Sequence, residues 1–149
     1  MYVAKPGVIT QHVGVLFLNQ ILTVPAGGPS TSNATYTLPQ DINLITTSSH
    51  MHQRATHFVS TTSTGQTLYQ TTQWAEPMPM SFSPAMNLVA GTQISWSCSY
   101  NNDTGAPLTF GESAQTNVMC ISISTFYPAQ DVNNPVLVDR ATKTTITMP

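Results

Sequence analysis

Charged side chains are scarce in this sequence. Four Lys or Arg and six Asp or Glu stand among 149 residues, a charged fraction of 7%, where soluble domains ordinarily carry about a quarter. So few cations cannot assemble a basic stripe, so neither nucleic acid nor an anionic membrane surface is expected as a partner. Long hydrophobic runs are missing as well. The longest, Val13-Gly14-Val15-Leu16-Phe17-Leu18, is too short to span a bilayer. No small-residue cleavage site closes it at the distance a signal peptide needs. Helical periodicity is absent along the whole chain. Cysteine is limited to Cys98 and Cys120, an even number in a chain whose composition looks extracellular. Each cysteine lies in a run of strand character. A cross-strand disulfide is the natural reading, stabilising the fold by roughly 3 kcal/mol on the chain-entropy model; two buried free thiols are the alternative.

Thr, Ser, Asn and Gln take the place of the missing charges. A surface solvated by neutral hydroxyls and amides suits a secreted or periplasmic β protein better than a cytosolic enzyme. The apolar content of 40% is ordinary, and the length suits one domain over residues 1–149 with a real core. The opening Met1-Tyr2-Val3-Ala4-Lys5-Pro6-Gly7 resembles mid-protein sequence, as in a domain cut from a longer polypeptide or a mature product with an added start Met.

Short β-branched or aromatic runs alternate with Gly, Pro, Asn and Asp clusters, the pattern of an all-β, antiparallel, jelly-roll-like β-sandwich. Candidate strands are 13–19, 34–38, 43–52, 57–62, 67–73, 93–100, 108–111 and 118–127, with a last one at 135–148. Most of the eleven prolines fall in the breaks between them, and Pro77, Pro79 and Pro84 make 77–84 read as an irregular segment. Ile94, Trp96, Cys98 and Tyr100 recur at period two, so Cys98 belongs to a core face. Met119, Ile121, Ile123 and Thr125 share one side of their strand, opposite to Cys120, Ser122 and Ser124. Asn33-Ala34-Thr35 and Asn102-Asp103-Thr104 match the acceptor pattern for N-glycosylation.

Ser49-His50-Met51-His52 is the most specific local feature. On a strand, histidines at i and i+2 project from one face about 7 Å apart at Cα, so both imidazoles can reach one metal ion. The alternative is a pair of solvent-facing histidines on a polar strand. His57 has the wrong parity to join them unless the strand bends at Arg54-Ala55, and His12 is distant. A thioether from one of the seven methionines would complete a set suited to copper, because imidazole serves both oxidation states and soft sulfur favours Cu(I). Zinc would call for Cys, His or carboxylate instead. No histidine follows His57, so a blue-copper arrangement is absent. Glu76 and Glu112 form the one carboxylate pair worth weighing for glycoside hydrolysis, and nothing else supports it. There is no nucleophile elbow and no phosphate loop.

Gly111-Glu112-Ser113-Ala114-Gln115-Thr116-Asn117-Val118-Met119-Cys120, followed by Tyr127-Pro128, resembles a motif of the copper type II ascorbate-dependent monooxygenases, the family of peptidylglycine α-hydroxylating and dopamine β-monooxygenases. In the C-terminal domain of that family a His-x-His strand and a Met directly before a Cys bind the oxygen-activating copper. His50 and His52 match the first element and Met119-Cys120 the second, at a similar spacing. Cys98 stands where the family disulfide to the second Cys begins. Val13 to Leu18 and Val24-Pro25-Ala26-Gly27-Gly28 look like the opening strand and turn of the same domain. The resemblance covers residues 13–128. It implies one copper held by His50, His52 and Met119, a Cys98–Cys120 disulfide, O₂ as co-substrate for C–H hydroxylation, and ascorbate or another external reductant.

The departures matter too. The acidic residue that precedes the family methionine is replaced here by Asn117-Val118. Where amidating members hold a peptide carboxylate with Arg, Asn and Tyr, this chain has Ser48, Ile121 and Ile123, so a peptidylglycine substrate is not expected. The family domain with three further histidines and the electron-supplying copper has no counterpart in this sequence, which makes a second copper domain in a longer native protein an expected partner. The competing expectation is a copper-binding module without turnover, or a structural module of a larger secreted protein.

Overall fold

Alternation of buried and exposed side chains at period two commits the chain to strands that bury one face. The computed structural model describes residue 7, residues 11–129 and the backbone of 138–143 and 145–147. Among the described residues there are twelve strands. They are β1 Gly14–Ile21, β2 Thr23–Val24, β3 Gly28–Thr37, β4 Ile42–Met51, β5 Ala55–Thr62, β6 Thr67–Thr71, β7 Met80–Leu88, β8 Gln93–Asn102, β9 Leu108–Thr109, β10 Cys120–Tyr127, β11 Val138–Lys143 and β12 Thr145–Thr147. No helix among them is long and apolar enough to cross a membrane.

The strands form an antiparallel sandwich of two five-stranded sheets. One has the order β11-β1-β10-β4-β7 and the other β12-β3-β8-β5-β6, while β2 and β9 make a separate ribbon. Among the described strands only the β1–β11 pair runs parallel. The all-β sandwich expected from the sequence is thus the observed fold. Its core is filled where the inner faces meet, with Leu16, Leu18, Leu44 and Met51 from the first sheet and Phe58, Ile94, Trp96 and Tyr100 from the second. Cys98 and Cys120 are fully buried and joined as a disulfide with Cα atoms 5.9 Å apart. That bond links β8 to β10, so it ties sheet to sheet rather than neighbour to neighbour.

Several boundaries differ from the sequence reading. The segment from Met80 contains an edge strand, β7, which pairs with β4 on either side of a bulge: Leu44 faces Met86, and Thr46 faces Ser81. An edge strand can hold Pro84 because its unpaired side asks for no N–H donor. Strand β3 begins at Gly28, inside the expected turn, and pairs with β8 along its full length. Strand β10 begins at Cys120; Val118 makes only an isolated bridge to Phe110. The single strand expected at 135–148 is two: β11 beside β1 and β12 beside β3, so each is an edge strand of a different sheet. Residues 135–137, 144 and 148 lie outside the described residues. Asn102 is fully buried, its amide donating to Pro25 and Ala106 carbonyls at 2.9 and 3.0 Å. It is a turn anchor, and the folded chain does not present it for glycosylation.

Removing the inter-sheet bond tests its weight. Replacing Cys98 and Cys120 together by Ala should lower unfolding free energy in urea by about 3 kcal/mol, the loop-closure value for this separation. An unchanged denaturation midpoint would mean that packing alone holds the sheets.

Candidate metal centre

Strand β4 sits between β10 and β7, and its last residues carry the histidine pair. Cys120 faces Met51 and Ile121 faces His50 in the β4–β10 ladder. Met51 therefore points into the core, where it is buried, and His50 projects from the outer side of the sheet, exposed. His52 follows the end of β4 on the same side. The ring centroids lie 5.2 Å apart with planes at 86°. Two imidazoles binding one ion at about 2 Å and a tetrahedral angle have ring centres about 5 Å apart. The centroid separation is thus the one that two imidazoles on a shared ion would have.

The two rings differ in surroundings. His52 is only 2% exposed although it lies beyond the end of its strand. What covers it is the loop 111–117, which docks through the Gln53 N–H donating to the Ala114 carbonyl at 3.2 Å. The His52 ring reaches the Asn117 carbonyl through Nδ1 at 3.1 Å. A carbonyl oxygen can only accept, so Nδ1 carries the hydrogen and Nε2 is the nitrogen whose lone pair could bind a metal. His50 has a pKa lowered from the ordinary 6.5, first by desolvation and then by the neighbouring His52 charge. Both causes favour the unprotonated ring that a metal needs.

Met119 comes from the other side of the ladder. It directly precedes β10 and is half-buried; continuing the Cys120–Met51 register by one step sets it across from His52. Its main chain is held from the core. The Tyr100 hydroxyl donates to the Met119 carbonyl at 3.2 Å, the Trp96 indole N–H donates to the Cys120 carbonyl at 3.4 Å, and the disulfide anchors Cys120 itself. Burial raises the Tyr100 pKa far above the usual phenol range, so it stays a donor.

The remaining candidates are elsewhere. His57 lies on β5, in the opposite sheet, where it faces Ser99. His12 is exposed and lies beyond the Gly14–Phe126 end of the β1–β10 ladder, whereas His50 is aligned with its Asn19–Ile121 end. Glu76 and Glu112 are both exposed. Among the described residues no three His, Cys, Asp or Glu side chains come together as a metal-holding group. No protein-family model matches this chain, and no curated protein does either. Reading the sequence missed the part of Asn117, which acts through a main-chain carbonyl. A carbonyl leaves no mark in residue identity, and only the Gly and Asn bracketing 111–117 hinted at a tight loop.

The lowered pKa gives a pH expectation. The unfolded chain takes up a proton at His50 near pH 6.5, while the folded chain does so at a lower pH. Stability should therefore fall as pH drops from 6.5 toward the folded-state value and level off below it. NMR titration should place the His50 midpoint below that of an ordinary imidazole, and His50→Gln should flatten the stability profile in this window. A midpoint at or above 6.5 would contradict the desolvated environment.

Proposed function

We propose that this chain is a mononuclear copper domain in which His50, His52 and Met119 hold one copper ion that reacts with O₂. The observation that carries the reading is the adjacent imidazole pair, 5.2 Å between centroids, with His52 Nδ1 already occupied by a carbonyl and Nε2 left to bind. The resemblance to the copper type II ascorbate-dependent monooxygenases supports copper over zinc and names Met119 as the third ligand. A thioether with two neutral imidazoles is a soft, low-charge set that favours Cu(I). Bound copper supplies one-electron chemistry with O₂ directed at an unactivated C–H bond.

The protein's own residues set the terms. His50 is exposed to solvent and to small molecules, whereas Ile121 and Asn19 in the same row across the sheet are buried. In register with His50 and Ser48 stand Ile121 and Ile123, and beyond them Asn19 and Phe17. None of these six side chains is a cation that could clamp a carboxylate, which favours a neutral substrate over a peptidylglycine. A buried disulfide fits an oxidising compartment, so we place the domain in a secreted or periplasmic setting.

A non-catalytic copper-binding role is the second reading, favoured by the placement of the other histidines. His12 and His57 lie at the far end of the sheet and on the opposite sheet, away from the pair. Hydroxylation with release of water takes two electrons beyond those the substrate provides, and a single copper stores one.

Two measurements test the proposal. X-ray absorption of the Cu(I)-loaded protein should show one copper per chain with a sulfur scatterer that is lost in Met119→Ile; sulfur that persists would remove Met119 from the ligand set. Ascorbate-driven O₂ uptake with peroxide release should be present in the wild type and absent in His50→Ala and His52→Ala. Stoichiometric copper without any oxygen consumption would favour the non-catalytic role.

A further inference from the structure

We infer that Asn117 is a positioning residue, which closes the 111–118 loop into a rigid clamp that sets the tautomer and orientation of the His52 ring. The inference deepens the copper reading and, as regards affinity, rests on it. Asn117 takes part in four hydrogen bonds. Its side-chain oxygen accepts from the Ser113 N–H at 3.3 Å, and its side-chain N–H donates to the Thr109 carbonyl at 3.2 Å. Its own N–H donates to the Ser113 carbonyl at 2.8 Å, and its carbonyl accepts from His52 Nδ1 at 3.1 Å. The side chain thus ties both arms of the loop together, and the main chain presents the carbonyl that this closure has aimed.

Gly111 gives the amide its room. A Cβ there would lie 2.6 Å from the Asn117 Cγ and 2.7 Å from its Oδ1, so no larger residue fits without moving the amide. The clamp is anchored beyond itself as well: the Val118 N–H donates to the Thr109 carbonyl at 3.1 Å, and the Phe110 N–H to the Leu22 carbonyl at 2.9 Å. Asp in place of Asn117 would keep the acceptor toward Ser113 but lose the donor and set a negative oxygen against the Thr109 carbonyl. The chemistry therefore asks for an amide. A partner on the second ring nitrogen fixes which nitrogen is free for the metal and which way the ring faces.

Nitrogen-15 NMR of the metal-free protein reads the tautomer directly. Wild-type His52 should be in the Nδ1–H form, and Asn117→Ala, Asn117→Asp and Gly111→Ala should each release it toward a mixture. With copper, the same variants should bind about 10- to 100-fold more weakly while keeping the Cys98–Cys120 disulfide and a cooperative melt. A wild-type His52 in the Nε2–H form overturns the inference without any variant. An unchanged tautomer and unchanged affinity in folded Asn117→Ala and Gly111→Ala overturn it too. Should Asn117→Ala fail to fold, Gly111→Ala and the wild-type tautomer decide the matter. Wild-type protein that binds no copper, yet shows the Nδ1–H form and loses it in the variants, would defeat the copper proposal and leave the clamp standing.

Discussion

The Cys98–Cys120 bond joins the middle strand of one sheet to the middle strand of the other, β8 to β10. Every candidate ligand is placed relative to that tie. Met119 is the residue before Cys120, and His50 and His52 lie alongside the start of β10 because β4 is hydrogen-bonded along it. On the β8 side, Trp96 and Tyr100 flank Cys98 at period two and hand their donors to the carbonyls of Cys120 and Met119. A covalent bond and two hydrogen bonds from core aromatics thus hold the start of β10 against the core. Burying the aromatic donors without acceptors would cost free energy, so the core's own need for hydrogen bonds holds the start of β10 in place.

The low charge of the chain is met by a different internal chemistry. Hydroxyls pair across strands, as in Thr46 with Thr125 at 2.6 Å and Ser124 with Thr47 at 3.1 Å. The fully buried Gln20 donates to the Trp96 carbonyl in the facing sheet. Neutral groups of this kind are cheaper to bury than ions and are satisfied one partner at a time. At the histidine pair the same neutrality works on the rings. Desolvation and the proximity of a second imidazole disfavour the protonated form of His50.

The two imidazoles are held unequally. His52 is enclosed by the 111–117 loop with its Nδ1 committed to Asn117, while His50 is exposed. One imidazole is thus held in place within the fold and the other is open to solvent. Such an arrangement lowers the ordering that binding demands while keeping one side of the site accessible.

Much of this was determined by the sequence alone. Period-two patterning identifies the strands, places Cys98 on a core face and puts His50 and His52 on one side, because side-chain direction in a strand depends only on local parity. The sandwich class and the cysteine pairing follow from that same pattern and from composition. Tertiary structure decided what parity does not encode. The edge strand β7 exists because β4 offers it a partner, across a bulge that accommodates Pro84. The C-terminal segment divides between β1 and β3, one edge of each sheet. The burial of His52 and the choice of its free nitrogen come from a carbonyl 65 residues away. Every residue carries a carbonyl, so only the path of the folded chain determines which one meets the ring.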